Sequence, residues 1–494
     1  MAPESTRPAQ KPPARRAGSH QPLWIDAPEH LDRFLTSVAS VREIALDTEG
    51  ASFHRFVDRI YLLQLSTRDA TAVVDPLGVG RPERLGALLE DQRIEKVLHD
   101  ADYDLRLLHQ DYGWNTRNIF DTRIAAQLLG LTAFGLAALL DKYFGVRLDK
   151  KHQRADWSMR PLTSGMLDYA AQDTMYLLEL RDRMREALER AERWEWALEE
   201  FQRLEGLRWE EEEAGAGFFR VKGARDLSRR ELARLRELVQ WRDSIAAELD
   251  RATFRVAGNE VLLEAARRAP RTVPELLEIK GVPRALVERR GRELLDAIKR
   301  GDAVREADLP KFPRGQRWDR DADFEENVSR LKRVRDDVAK RLEIDPGFLC
   351  SRDKLEAIAR RKPGTLDDLA EVKDLRRWQV GVLGEELLVA LKAGRGPTAK
   401  GHGAGEGLGH PPPFTRPVAL GPRPAQIPRY ARIRGSIRSG VQNGVHTRFT
   451  CTSSTPGIVR TASSAPVMIS GPDGQPGDVR LMSTFTFAPS TRTP

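Results

Sequence analysis

The second half of the chain repeats itself at a constant offset of 93 residues, and this repeat constrains the possible fold more than any other feature. The register holds without a gap across the matched pairs Leu262/Leu355, Pro270/Pro363, Lys280/Lys373, Gly291/Gly384 and Leu295/Leu388. Such a register predicts two copies of one small helical domain, each with its own apolar core. The first copy opens with Ser228 and Glu231 in the spacing of a capping box, directly before apolar residues at helical intervals.

The first half of the chain has a different pattern, in which short apolar runs are followed by amphipathic segments. We expect strands at 41–46, 60–65, 72–74, 96–98 and 118–120, and helices at 82–89, 102–109 and 121–129, with more helices through 196. Short connections favour antiparallel pairing of the early strands, and strands then alternate with helices. These features predict an α/β domain in which helices pack on a mixed sheet.

Changes in composition divide the chain into segments. Pro and basic residues dominate the first twenty positions, and Gly, Pro, Ser and Thr dominate everything after about 395. The expected order is a disordered basic arm at 1–20, the α/β domain at 21–205, a linker at 206–223, one helical domain at 224–301, a linker at 302–323, a second helical domain at 324–395 and a disordered tail at 396–494.

Three acidic motifs in the α/β domain carry the candidate chemistry. Asp47 and Glu49 share one face of a predicted strand, because strand side chains repeat every two residues. Tyr169 and Asp173 share one face of a predicted helix, because residues four apart are neighbours there. Asp104 lies between these motifs in an acidic stretch. Carboxylates that converge in a fold repel one another unless cations lie between them, so the set predicts a divalent-metal site.

The residue types agree with phosphodiester hydrolysis by two hard cations about 3.5–4 Å apart. Magnesium and manganese prefer oxygen ligands. In this hypothesis Asp47 bridges two Mg²⁺ or Mn²⁺ ions, Glu49 and Asp173 complete the ion that binds the attacking water, and Asp104 serves the ion beside the leaving group. Tyr169 either orients the water or accepts its proton. Each motif alone is common in long proteins, and the specific signal is the complete set in this order.

The overall composition restricts the partners and the location. A net charge of +8 and a pI near 9.5 favour a polyanionic partner such as nucleic acid, although genome composition also raises arginine content. The two cysteines, Cys350 and Cys451, do not have the spacing of a zinc or redox pair, so a cytoplasmic location is expected. We expect neither a signal peptide nor a membrane span, and a monomer is the default.

The residues from 44 to 180 resemble the ribonuclease D group of the DEDD 3′–5′ exonucleases. The three exonuclease motifs of that group match 45–49, 96–105 and 167–173, and the tyrosine of the third motif is typical of the DEDDy branch. The spacing from His99 selects Asp104 over Asp102 as the acid of the second motif. Residues 120–122 and 156–162 are also similar to ribonuclease D. The two helical copies resemble HRDC domains, which follow the nuclease in bacterial ribonuclease D.

This resemblance implies a ribonuclease H-like fold and removal of single nucleotides from RNA 3′ ends, with release of 5′-monophosphates. Transfer RNA precursors and other structured RNAs are the substrates that it implies. One alternative is a DNA exonuclease of the same branch, although the chain lacks a helicase phosphate-binding motif. Another is a non-catalytic RNA-binding scaffold, which the complete set of acids argues against.

Several further residues are candidates for substrate binding: His99, Gln64, Lys151, Arg160, Arg267, Arg268 and Lys280. Each also has a structural interpretation, such as a strand-end histidine, a buried glutamine that satisfies backbone groups, or a solvated basic loop. The helical copies are expected to bind RNA through their basic residues, and a structural docking role is the alternative. Trp157, Phe254 and Val256 are expected to pack in a core.

Overall fold

The structure is a computed structural model, and it describes residues 21–149, 151–210, 215–312 and 322–393. The predicted arm at 1–20 and the predicted tail at 396–494 lie outside the described residues, as do parts of both predicted linkers. Within the described ranges no helix is long and apolar enough to cross a membrane.

A six-stranded mixed sheet forms the centre of the first domain, which confirms the predicted α/β class. Its strands are β1 (Leu23–Ile25), β2 (Glu43–Glu49), β3 (Leu62–Ser66), β4 (Thr71–Val74), β5 (Glu95–Leu98) and β6 (Ile119–Asp121). They lie in the order β1-β4-β3-β2-β5-β6. The pairs β2/β3 and β3/β4 are antiparallel, and the other pairs are parallel. The antiparallel meander therefore places β2, with the first acidic motif, in the interior of the sheet.

Nine helices of the first domain accompany this sheet in the described residues. They are α1 (Pro28–Ser37), α2 (Pro76–Val79), α3 (Glu83–Glu90), α4 (Asp102–Tyr112), α5 (Thr122–Leu128), α6 (Leu136–Phe144), α7 (Ser164–Met175), α8 (Leu177–Arg190) and α9 (Trp194–Leu204).

The helices cover both faces of the sheet because the central strands carry buried residues on both sides, as in β3, where every residue is buried. Leu46 and Leu65 face a core that includes Leu31 of α1, Leu85 of α3 and Leu108 of α4. On the opposite face α7 crosses β2, β3 and β4. A hydrogen bond of 2.7 Å between the hydroxyls of Ser66 and Thr174 fixes this crossing. The result is a helix–sheet–helix sandwich in which α7 lies directly over the strand with the first acidic motif.

Two helical domains follow, and the structure describes them over 215–312 (the first helical domain) and 322–393 (the second helical domain). The first contains α10 (Arg229–Glu248), α11 (Thr253–Val256), α12 (Asn259–Arg268), α13 (Val273–Leu277) and α14 (Arg284–Ala303). The second contains α15 (Ala322–Leu342), α16 (Pro346–Leu349), α17 (Arg352–Arg361), α18 (Leu366–Ala370) and α19 (Arg377–Ala393). Every helix of the second domain begins 93 residues after its counterpart, and the capping box at Ser228 is formed.

The two helical domains pack differently. The first has its own apolar core, which also takes in Phe218 and Val221 from the predicted linker. The second shares one continuous core with the sheet, in which Phe120 and Leu128 belong to the same cluster as Leu355 and Leu387. Among the described residues, the second helical domain therefore shares a buried core with the α/β domain, whereas the core of the first is contacted by the partly buried Phe56 of the loop at 50–58.

Candidate active site

Three carboxylates converge where β2 meets α7. Asp47 and Glu49 project from one face of β2, and Asp173 projects from the helix above it. One oxygen of each lies within 4.8 Å of an oxygen of the other two. This convergence follows from the alternation of the strand and the crossing of α7, and it joins residues more than 120 positions apart in the sequence.

Asp104 approaches the same cluster from the first turn of α4 and is 5% exposed. One of its oxygens accepts a hydrogen bond of 3.1 Å from the backbone N–H of Thr48 and a second from the Thr48 hydroxyl. The start of this helix is fixed by Asp121, whose carboxylate accepts a hydrogen bond of 2.8 Å from the N–H of Ala101. The four predicted acids are thus brought together by the fold.

Burial and mutual repulsion disfavour the ionised forms of these acids. Burial, followed by repulsion from Asp104 and Asp173, raises the pKa of Asp47 well above its usual range. Burial and the same two neighbours also raise the pKa of Glu49. Burial raises the pKa of Asp104 and of Asp173 to about 7 in each case, although the hydrogen bonds from Thr48 oppose the shift at Asp104. A divalent cation would relieve this repulsion.

The donor set fits hard divalent cations. All four candidate ligands are carboxylates, and each presents oxygen, which Mg²⁺ and Mn²⁺ prefer. Repulsion from the other three acids adds to burial in raising the pKa of Asp47, and a cation among them would relieve that repulsion. Divalent-metal dependence is therefore the property that this acidic cluster supports.

Tyr169 lies one turn before Asp173 on α7. Its ring is 6.1 Å from the ring of Trp157, which is buried as expected, and 6.0 Å from the ring of His152. Burial and then the charges of Asp173 and Glu49 raise the pKa of Tyr169 above its ordinary value. The raised pKa favours the protonated phenol, and both orientation of a water molecule and acceptance of its proton stay predictions for Tyr169.

A cavity of about 250 Å³ opens beside the acids. Several of its lining residues were not singled out from the sequence: Thr48, Gly50, Phe53, His54 and Tyr103. Arg154, which also lines the cavity, belongs to the basic loop that was expected to hold the RNA backbone or to be solvated. The guanidinium of Arg154 lies 5.4 Å from the centre of the Phe53 ring, and both Phe53 and Tyr103 are nearly half exposed. Exposed aromatic rings and a cation beside an acidic cluster suit a nucleotide. The sequence signal for this cavity was the run of small and aromatic residues directly after Glu49.

The first helical domain does not line this cavity but contacts the loop at 50–58, part of which does. Arg255 Nε donates to the carbonyl oxygen of Phe53 at 2.5 Å, and the N–H of Ala252 donates to the carbonyl oxygen of His54 at 3.2 Å. Arg55 forms an ion pair of 3.1 Å with Asp250.

Phe254 is 54% exposed and meets Phe53 edge-on at 6.2 Å between ring centres. The expectation that Phe254 packs in a core is therefore wrong, whereas Val256 is buried as expected. Phe254 differs because its ring contacts Phe53 of the α/β domain instead of the core of the first helical domain.

His99 and Gln64 are close to the acids in different ways. Burial lowers the pKa of His99 to about 4, and its Nδ1 lies 2.9 Å from the hydroxyl oxygen of Thr122. That hydroxyl donates to the carbonyl oxygen of Leu98, so Nδ1 is the donor and the ring is neutral. Gln64 pairs with Asp47 across β2 and β3 and is fully buried, and neither side-chain amide atom has a hydrogen-bond partner among the described residues.

Lys151 and Arg160 precede α7 in the chain. Lys151 is exposed, precedes His152 in the sequence and forms no ion pair with a described residue. Arg160 has a structural role instead, because all five N–H groups of its guanidinium donate to acceptors within the fold. The acceptors are both oxygens of Asp75 and the carbonyl oxygens of Tyr61, Trp157 and Met159. The structure thus leaves Arg160 with no N–H group for an RNA phosphate.

The candidate basic residues of the first helical domain lie away from the cavity. Arg267 and Arg268 end α12, where Ala266 accepts a hydrogen bond from Arg234 near the start of α10. The contacts with the cavity wall lie beyond the other end of α10, roughly 20 Å along the helix axis. Arg268 is also paired with Glu264 at 2.5 Å, and Lys280 is exposed between α13 and α14.

Comparisons with known proteins agree with this geometry. The chain matches a 3′–5′ exonuclease family model over residues 22–189 and an HRDC domain model twice, over 231–298 and 324–391. It is 33% identical to ribonuclease D of Haemophilus influenzae over 54% of this chain and 68% of that protein. It is 30% identical to ribonuclease D of Granulibacter bethesdensis over 76% of this chain and 93% of that protein.

Solved structures give the same result. Escherichia coli RNase D, described as an exoribonuclease involved in structured RNA processing, aligns with a TM-score of 0.60 at 26% identity, over 76% of this chain and 99% of that one. The catalytic core of RRP6 from Trypanosoma brucei aligns with a TM-score of 0.53 at 29% identity, over 60% and 84% of the two chains. The predicted resemblance is confirmed, and this chain belongs to the ribonuclease D family of hydrolytic 3′–5′ exoribonucleases, with two HRDC domains after the nuclease.

Proposed function

We propose that this chain trims the 3′ ends of structured RNAs, transfer RNA precursors among them, with two divalent cations, Mg²⁺ or Mn²⁺, in its acidic cluster. The observation that carries the proposal is the convergence of Asp47, Glu49 and Asp173 within 4.8 Å, with Asp104 beside them. One buried and three half-buried acids with raised pKa values are costly to hold together unless their charge is used. We propose further that the protein acts in the cytoplasm as a monomer.

The residues divide the work as follows. Asp47 would contact both ions, while Glu49 and Asp173 would hold one of them and Asp104 would hold the other. Bound cations of this kind supply a nucleophilic hydroxide at neutral pH and stabilise the charge of the leaving oxygen. Thr48 fixes Asp104 with two hydrogen bonds, so this ligand does not need to reorganise.

Tyr169 completes the site from the α7 side. Its pKa is raised, so the phenol is protonated at neutral pH and can act as a hydrogen-bond donor one turn before Asp173. That donor would orient a water molecule or a phosphate oxygen. The half-exposed rings of Phe53 and Tyr103 would hold the terminal base, because aromatic faces accept any base. This arrangement supports removal of one nucleotide at a time without sequence preference.

RNA with a label on its 3′-terminal nucleotide tests the proposal. With manganese, the full chain should release the labelled nucleotide as a 5′-monophosphate, and chelator should stop the release. Asp173→Asn should abolish hydrolysis while RNA binding persists. Absence of product from the parent, or equal activity of Asp173→Asn, would reject the proposed chemistry. Single-stranded DNA of the same sequence in parallel would identify a DNA exonuclease, and transfer RNA precursors would test the substrate.

A further inference from the structure

The two helical domains present the same face to different surroundings. The helices of the second domain begin 93 residues after those of the first, so each position has a counterpart. On the face formed by the end of the first long helix, the next short helix and the start of the last helix, the first domain carries Arg251, Arg255 and Arg289. The counterparts in the second domain are Ile344, Phe348 and Val382. Three cations in one copy are therefore apolar residues in the other.

In the second domain this face is occupied by α9 of the nuclease. Trp378 stacks on Trp196 at 5.1 Å between ring centres, and its indole N–H donates to Glu200 at 2.9 Å. The carboxylate of Glu199 accepts hydrogen bonds of 2.8 and 3.0 Å from the backbone N–H groups of Arg377 and Trp378, and so caps α19. Ile344, Phe348 and Val382 belong to the core that this domain shares with the sheet. The face is a docking surface in this copy.

In the first domain the same face remains open. It contains a cavity of about 240 Å³ whose apolar floor includes Ile245 and Val256. The guanidinium groups of Arg251 and Arg289 line it, are exposed, and form no ion pair or hydrogen bond with a described residue. The nearby Glu248 is already paired with Arg290 at 2.5 Å. The open face therefore has an excess of positive charge over an apolar floor.

This open face continues into the candidate active site. Arg255 lines the cavity of the first helical domain and also donates to the carbonyl oxygen of Phe53, which lines the cavity beside the acids. The ring of Phe254 lies 6.2 Å from that of Phe53, and the guanidinium of Arg154 lies 5.4 Å from the centre of the Phe53 ring. Exposed aromatic rings and arginines thus form one surface from the acids to the first helical domain.

We infer that this surface, which we call the arginine face (Arg251, Phe254, Arg255 and Arg289), holds the RNA segment directly upstream of the nucleotide in the active site; the inference rests on the proposed function. Arginines take the phosphates, and the apolar floor and Phe254 contact riboses and bases. The second helical domain does not bind RNA through this face, because the nuclease covers it. Arg267 and Arg268, at the far end of α10, lie off this path.

The test uses the full chain with Arg251→Ala/Arg289→Ala, because neither side chain is bonded within the described structure. Binding of a labelled single-stranded RNA of about 20 nucleotides, measured by anisotropy in chelator, should weaken about tenfold, and the salt dependence should fall by about 1.4 in slope. Arg251→Lys/Arg289→Lys should restore most of the affinity. The matched control is Arg267→Ala/Arg271→Ala on the far side of the same domain, which should bind within about twofold of the parent.

Steady-state kinetics then distinguish a defect in RNA binding at the arginine face from a defect in hydrolysis. The alanine pair should raise KM for the long RNA and leave kcat for a trinucleotide unchanged, because a trinucleotide has little chain beyond the active-site cavity. Equal losses in the alanine pair and the far-side control, or unchanged binding in the alanine pair, would overturn the inference. A parent that hydrolyses no RNA but loses affinity on Arg251→Ala/Arg289→Ala would refute the proposed function and leave the arginine face in place.

Discussion

Thr48 donates two hydrogen bonds to a single oxygen of Asp104, one from its backbone N–H at 3.1 Å and one from its hydroxyl. The residue between the two carboxylates of β2 therefore fixes the carboxylate that comes from α4. This leaves the second oxygen of Asp104 for a ligand. Three consecutive residues of β2 thus contribute to the site: Asp47 and Glu49 supply negative charge, and Thr48 positions Asp104.

Thr48→Val should shift the pH dependence of the reaction. The hydroxyl favours the ionised form of Asp104, so its loss should raise the pKa of that acid above about 7. Because the ionised carboxylate holds the cation, kcat/KM should fall several-fold at neutral pH and recover as the pH rises. Thr48→Ser should retain the parent profile. A Thr48→Val profile that is lower at every pH without a shift would contradict this role.

The metal-free protein should lose stability as the pH rises from about 4 to about 7. In that window the folded carboxylates, with pKa values of about 7 at Asp104 and Asp173, bind protons that the unfolded chain has released. The stability that these bound protons contribute is thus greatest at low pH, and it is lost as the pH rises through the pKa values of the folded carboxyls. Thermal unfolding in chelator should show this slope, and manganese should remove it.

Asp173→Asn is the matched variant for that experiment, because it keeps the shape and removes one charge. Its metal-free form should be more stable than the parent above pH 7 by about 1 kcal/mol, with a flatter pH dependence and no hydrolysis. A metal-free Asp173→Asn protein that is less stable than the parent at that pH would mean that repulsion within the cluster is not significant.

Removal of the Trp378 ring should destabilise the nuclease as well as the second helical domain. The ring is 6% exposed and belongs to the shared core, so Trp378→Ala should lower the free energy of unfolding by about 3–5 kcal/mol. Denaturant unfolding followed by circular dichroism measures the effect. Val389→Ala on the same helix, where the side chain is 66% exposed, should change stability by less than about 0.5 kcal/mol. Normal stability of Trp378→Ala would exclude a shared core.

Arg160→Ala should affect stability and not RNA affinity. All five N–H groups of the guanidinium are used within the fold, and its loss would leave the 5% exposed Asp75 without its partner. A decrease of about 3 kcal/mol in the free energy of unfolding is expected, with RNA affinity in chelator within about twofold of the parent. Reduced affinity in a variant that is still fully folded would restore Arg160 as a substrate contact.

Gln64→Met removes a fully buried amide without partners among the described residues, directly opposite Asp47. The metal-free protein should gain about 1 kcal/mol of stability, because an unpaired buried amide is costly. Calorimetric titration with manganese should show weaker binding if the amide supports Asp47 in the loaded site. A loss of stability in the metal-free variant would show that the amide already has a partner in the folded protein.

Features that depend on residues close together in the sequence were predicted better than contacts between residues far apart in it. The helical repeat and the capping box at Ser228 depend on neighbouring residues, and their positions agree with the structure. The grouping of Asp47, Glu49, Asp104 and Asp173 followed from motif order. The bond from Thr48 to Asp104 could not be predicted, because it joins residues 56 positions apart through the order of β2 and β5.

The charge of a residue also did not show which basic side chains are free to bind the substrate. Arg160 and Arg251 look alike in the sequence, yet one uses every N–H group inside the fold and the other has no partner among the described residues. Phe254 was misassigned for a similar reason. Its spacing is that of a core residue, but the surface that it meets belongs to the loop at 50–58, which is about 200 residues away in the sequence.

The ion pair between Arg55 and Asp250 has a practical consequence for anyone who wishes to shorten this enzyme. The nuclease fold ends near residue 205, but the loop at 50–58, which lines the cavity beside the acids, is held by contacts with residues 250–255. A fragment cut at the fold boundary would keep every metal ligand and lose the partner that holds this loop in place. The smallest complete catalyst is therefore longer than the smallest complete fold.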